Sequence, residues 1–128
     1  MAEWTNEERE TIDDRDELRI AARRTDGSLR RPVTVWMVRV GDDVCVRSVN
    51  GRDASWFRGA QASHRAHVQV AGVERNVTLV EVDDRNDELD AAYETKYGRR
   101  YASIVPSIVA PHARAATLKL VPDAEEES

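Results

Sequence analysis

A single cysteine, Cys45, stands among 128 residues, which excludes an intramolecular disulfide and fits a reducing compartment. It falls inside an apolar strand pattern, where a small buried hydrophobe is expected rather than a nucleophile. Aromatic residues make up only 5% and the net charge is −5. A nucleic-acid module needs a basic face and stacking rings, so no nucleic-acid partner is expected. No apolar run approaches the roughly 20 residues that cross a bilayer. Residues 4–16 are polar and acidic, unlike a secretory signal. A cytoplasmic protein without membrane contact is the expectation. Nucleophile elbow, Walker loop, dinucleotide fingerprint and zinc spacing are all missing. His64 and His67 fall across an expected helix end and strand, and His112 lies in a loop, so no metal site is expected.

What is present is enough for one folded domain. Hydrophobic residues are 41% and charged residues 34%, a modest core under a heavily charged surface. Thr5-x-x-Glu8 matches a capping box, and Trp4 and Ile12 would dock the short helix it starts. Residues 18–22 form a candidate strand with Leu18 and Ile20 on one face, followed by the turn Thr25-Asp26-Gly27-Ser28. Residues 33–40 and 44–49 are rich in β-branched side chains. If Gly41-Asp42-Asp43 is a three-residue loop, even positions pair with even. One face then carries Trp36, Val38, Val40, Val44, Val46 and Ser48, and the other Val35, Met37, Arg39, Cys45, Arg47 and Val49. Neither face is polar throughout, so both need cover, by helices outside a closed barrel or by a second subunit.

Asp53 is the expected cap of a helix reaching about residue 62, with Trp56, Phe57 and Ala60 toward the sheet. Strands follow at residues 67–71 and 75–82. A helix carries Leu89, Ala92, Tyr93, Lys96 and Tyr97 on one side and stops at Gly98. Residues 101–109 repeat at helical spacing around Pro106, which breaks or kinks them. A last strand ends at Pro122. The expected fold is α+β but mainly β: a small barrel of five to six mainly antiparallel strands with flanking helices. Residues 1–17 are a charged helical segment, 18–122 the barrel, and 123–128 an acidic disordered tail.

Arginines gather where the first hairpin begins and ends. Arg30 and Arg31 precede one strand, and Arg47 and Ser48 end its partner, at the same edge of the sheet. Guanidinium forks with a hydroxyl suit a phosphate or carboxylate. A solvated basic rim paired with the many carboxylates is the simpler alternative. Trp56 is a candidate wall for a flat ring, with core packing as its alternative.

The runs Val46-Arg47-Ser48-Val49-Asn50-Gly51-Arg52, Ser55-Trp56-Phe57-Arg58-Gly59 and Gly72-Val73-Glu74-Arg75-Asn76-Val77-Thr78 resemble a bacterial family of short proteins of unknown function. So do Asp90-Ala91-Ala92-Tyr93 with Lys96-Tyr97, and Ala116-Thr117-Leu118-Lys119-Leu120. More distantly, the chain is similar to split β-barrel flavoproteins, including pyridoxamine-phosphate-oxidase-like proteins and deazaflavin-dependent nitroreductases. That resemblance implies a homodimer with FMN or a deazaflavin at the subunit interface. Arg31, Ser48, Gly51 and Trp56-Phe57 occupy the matching places. Arg31, Arg47, Ser48, Gly51 and Arg58 would hold the phosphate end and Trp56 would flank the ring. The pattern departs at Arg58-Gly59-Ala60, where the nitroreductases carry histidine, asparagine and leucine. Two expectations follow: a nitroreductase-like oxidoreductase, or a barrel that has lost the cofactor and binds another anionic or aromatic small molecule.

Overall fold

The computed structural model describes residues 3–123. Six strands close into one antiparallel barrel in the order β1-β2-β3-β6-β5-β4. They are β1 (Glu17–Ala22), β2 (Val33–Val40), β3 (Asp43–Arg47), β4 (Arg65–Val70), β5 (Val73–Glu81) and β6 (Thr117–Pro122). The helices are α1 (Asn6–Asp14), α2 (Ser55–Ser63), α3 (Asn86–Tyr97) and the short α4 (Val105–Ile108) and α5 (Pro111–Arg114). Closure removes every sheet edge, so backbone groups are satisfied within the ring of strands.

The barrel interior is filled by alternating side chains such as Leu18, Ile20, Met37, Val44, Val68 and Leu79, all buried. Each stabilises the fold by about 1.5–3 kcal/mol relative to exposure. Helix α1 adds Trp4 and Ile12 to that same core. Its capping box is formed, with Glu8 N–H donating to Thr5 Oγ1 and Thr5 N–H to Glu8 Oε1. The indole N–H of Trp4 donates to Leu120 O at 3.0 Å. Outside the barrel, Val38 and Cys45 pack under Leu89, Tyr93, Tyr97 and Ile108 of α3 and α4. Burial pushes the Cys45 thiol up to about 11, as suits a packing residue. Pro106 and Pro111 each open a short helix, so the helical spacing of residues 101–109 yields one four-residue helix after a turn.

Three expectations are corrected. The β2–β3 loop has two residues, since Val40 pairs with Asp43 and Met37 with Val46. Gly41 takes φ +61° while Asp42 does not, the pattern of a Gly-led hairpin turn whose twist suits the flanking strands. That register exchanges the two faces of β3: Val44 and Val46 join Val35 and Met37 inside the barrel, while Cys45 and Arg47 join Trp36 and Val38 outside. Strand β3 also stops at Arg47 rather than running to Val49. Finally, Asp53 sits in a 3-10 turn, Gly51–Asp53, and α2 is preceded by Ala54 with no side-chain cap.

The acidic tail lies outside the described residues except Asp123. Its N–H donates to Asn76 O at 2.9 Å, and its carboxylate accepts from Thr78 Oγ1 at 3.0 Å. No helix among the described residues is long and apolar enough to cross a membrane.

Candidate functional site

The exchanged register of β3 determines the site, because it turns Trp36 and Arg47 outward together. Tyr93 and Tyr97, one turn apart on α3, lie beneath. Tyr93 donates its hydroxyl to Trp36 O at 3.0 Å. Tyr97 Oη accepts from Met37 N–H at 3.1 Å and stands 2.6 Å from Met37 O. Burial raises both phenols well above their ordinary range, so they remain neutral anchors. The Trp36 indole stacks on the Tyr97 ring at 4.2 Å and 3°, and Tyr101 meets it at 5.0 Å and 45°. Such stacking adds about 0.5–1.5 kcal/mol beyond burial, and it fixes the plane of the Trp36 ring.

A cleft of about 490 Å³ opens over Trp36, within the range of small-molecule sites, roughly 300–1,000 Å³. Trp56 and Tyr101 line it with Trp36, and Val49 and Ile104 stand at 41% and 46% exposure on its rim. The Trp56 ring is set at 87° to Phe57, 5.8 Å away, and Phe57 is fully buried. His112 Nε2 hydrogen-bonds Val49 O at 2.6 Å and steadies the loop that carries Val49.

Arg47 reaches the cleft but is committed to the chain's own groups. Its side chain is fully buried. Nε donates to Thr117 Oγ1 at 3.1 Å, Nη1 to Asp90 Oδ1 at 2.6 Å and Ile108 O at 3.2 Å, and Nη2 to Asn86 Oδ1 at 3.1 Å. No donor is left to grip a phosphate, so this residue is a clamp between β3, β6, α3 and α4. Burial works against the charge of Asp90, but hydrogen bonds from Arg114 and Arg47 outweigh it and hold its carboxyl below the usual range. Ser48 is likewise interior: 1% exposed, its Oγ buried without a partner, its N–H donated to Ala116 O. Gly51, at φ +79°, opens the 3-10 turn against the His112 side chain.

The arginines that do face outward gather beside the cleft. Arg30, Ser55, Arg58 and Gly59 line a second hollow of about 340 Å³, adjoining the first where Ser55 passes to Trp56. Arg58 and Arg31 are exposed and Arg30 is partly buried. Among the described residues none of the three has a carboxylate partner, although Arg39, Arg47, Arg52, Arg85, Arg100 and Arg114 all do. The Nε of Arg30 is buried and makes no hydrogen bond. A Cβ at position 59 would stand 2.6 Å from that nitrogen, so Gly59 is the cradle over which Arg30 lies. Of the residues selected from the sequence, the structure places the partly buried Trp56 in the cleft wall and the exposed Arg58 in the adjoining hollow; Arg31 is exposed but lines neither, and Arg47, Ser48 and Gly51 are buried. Arg30, named with Arg31 from the sequence, lines the adjoining hollow, whereas the sequence does not single out Trp36 and Tyr101. The outward alternation of β2 and the four-residue spacing of Tyr97 and Tyr101 were the available signals.

Residues 8–120 match the family model described as an uncharacterized protein conserved in bacteria, DUF2255. The chain belongs to that family. No curated protein sequence matches this DUF2255 chain. Among solved structures it is similar to the heme storage protein HutZ of Vibrio cholerae, with TM-score 0.66 and 12% identity over 96% of this chain and 92% of that one. It is also similar to an F420-H2 dependent reductase, FDR-A, with TM-score 0.60 and 16% identity over 84% and 94% of the two chains. A FAD-binding protein of Mesorhizobium loti gives TM-score 0.59 and 16% identity over 90% and 86%. At these identities the likeness establishes the fold, a closed antiparallel barrel with flanking helices.

Proposed function

We propose that this DUF2255 chain is an oxidoreductase-type barrel that holds a flavin or deazaflavin ring in the cleft over Trp36, at the interface of a homodimer. The observation that carries this reading is the aromatic-walled cleft adjoining a hollow lined by Arg30 and Arg58, two arginines without carboxylate partners among the described residues. The residues fit such a group at both ends. Trp36 presents a flat ring held rigid by Tyr97, and Trp56 and Tyr101 flank it. The guanidinium of Arg58 and the outer guanidinium nitrogens of Arg30, whose stem lies over Gly59, have no hydrogen-bond partner among the described residues and leave donor capacity for an anion at the other end. Arg30 and Arg58 would take the phosphate there, in place of Arg47 and Ser48. When bound, the ring would supply hydride chemistry, and the chain would supply orientation and electrostatics. Proteins of this fold are described as binding F420, FAD or heme. The cleft lining contains no histidine, cysteine or methionine, and its one phenol, Tyr101, already donates its hydroxyl to Asp16 Oδ2 at 3.0 Å, so heme iron would find a poor axial ligand there. This favours a flavin-type ring.

The exposed apolar rim of Val49 and Ile104 supports cover by a second copy. The test is a spectral titration of the purified chain with FMN, FAD and F420, beside W36A and R58A. Retention of one ring, weakened by both substitutions, is expected. A second reading is favoured by one observation, the internal commitment of Arg47 and burial of Ser48: a non-catalytic site for another aromatic anion. It predicts no retention of any flavin but saturable binding of a smaller aromatic phosphate.

A further inference from the structure

The two ends of the cleft differ in charge. Glu17 opens β1 and pairs with Trp36 across the β1–β2 ladder, so both side chains project from the same face of the sheet. Glu17 lines the cleft with Trp36 and Tyr101 and is exposed. That shared lining and the pairing with Trp36 place the carboxylate beside the aromatic wall. Its neighbour Asp16 is neutralised, because Arg100 Nη1 stands 2.8 Å from Asp16 Oδ2 and Tyr101 donates to that same oxygen at 3.0 Å. Glu17 has no cationic partner among the described residues. The one cation lining the cleft, Arg47, is already paired with Asp90.

A carboxylate without an ion pair therefore stands at the ring end, with Arg19 of the same β1 face in the adjoining hollow rather than the cleft, and Arg30 and Arg58 stand beyond Trp56. A carboxylate next to flat aromatic faces attracts a ring that is cationic or carries an N–H donor, through the ion pair and the ring quadrupole together. It repels a ring bearing its own carboxylate. We propose that Glu17 is a specificity-determining residue. It selects planar ligands that pair a cationic or N–H-donating ring with an anionic tail, and rejects those with an anionic ring substituent. This rests on the reading of the cleft as a ring-binding site.

Two probes separate the effect. Oxidised nicotinamide mononucleotide and nicotinic acid mononucleotide share the pyridinium, ribose and phosphate, and differ only in a ring carboxamide against a ring carboxylate. Calorimetric titration of the full chain, after exhaustive dialysis, should show the carboxamide probe binding about fivefold more tightly, the scale of an exposed ion-pair difference. E17Q should bring the ratio to near one and E17K should invert it, with unchanged melting temperatures reporting intact folds. Equal affinities in the unsubstituted chain, an unchanged ratio in E17Q, or no binding of either probe would overturn the assignment. An FMN titration run alongside reports on the cofactor reading. FMN binding without probe discrimination removes Glu17 alone, whereas discrimination without FMN binding removes the flavin and keeps Glu17.

Discussion

At the scale of single residues, the site depends on which side chains already have partners. Arg47 and Arg58 are eleven positions apart and equally basic in sequence, yet one is enclosed by four acceptor residues and the other is exposed. Sequence spacing does not report this difference, because the acceptors Asn86, Asp90, Ile108 and Thr117 come from distant segments. Gly59 gives a sharper case. Glycine inside a helix costs about 1 kcal/mol against alanine, and the cost is tolerated because a Cβ would strike the Arg30 stem. G59A alone should therefore gain little stability and weaken anion binding. In an R30A background the same substitution should raise stability by about 1 kcal/mol, read by urea unfolding. Equal gains in both backgrounds would show that Arg30 does not lie over position 59.

At the scale of elements, the Arg47 clamp and Lys96 tie the helices to the barrel. D90A leaves Arg47 buried with its charge uncompensated, a loss of about 3 kcal/mol measurable by urea unfolding. Asp90 has a folded-state pKa below its ordinary value. Its contribution is thus fully present above the ordinary aspartate range and is lost as pH falls through the lowered folded value. D90N should flatten the acid limb of the stability curve relative to the unsubstituted chain. Lys96 gives the same sign of pH dependence in an alkaline window. Its Nζ donates to Ile12 O at 2.6 Å and Met37 O at 3.0 Å, joining α3 to α1 and β2, but burial lowers its pKa from 10.5 to about 8. Between those values the unfolded chain holds the extra proton, so stability should rise with pH there. K96M should lose that rise, and equal slopes from about pH 8 to 10 would contradict the burial of this amine. The elements themselves were legible: the capping box and the Gly98 stop stand where the sequence sets them, and every expected strand is present, though β4 and β5 each begin two residues earlier, at Arg65 and Val73. The β2–β3 register was not, because Gly41-Asp42-Asp43 is compatible with two loop lengths and one residue exchanges every face of β3.

At the scale of the molecule, a closed barrel with apolar side chains on both faces needs an outer layer, and α3 and α4 supply it over β2 and β3. Where that layer ends, the cleft begins, between the last turn of α3 and the start of α2. The fold was readable from composition and alternation. The site was only half readable, since it is assembled from β1, β2, α2 and the turn after α3, whose convergence no local pattern encodes. A dimer that closes over Val49 and Ile104 should dissociate in V49E/I104E, with mass by light scattering falling from two chains to one. A monomeric unsubstituted chain would contradict the interface. The most direct measurement is visible absorption after adding FMN, FAD or F420 to the purified chain and removing unbound ligand on a sizing column. The account predicts that one of the three stays with the protein at stoichiometric ratio and is released by W36A. A folded chain that retains none of them would contradict it.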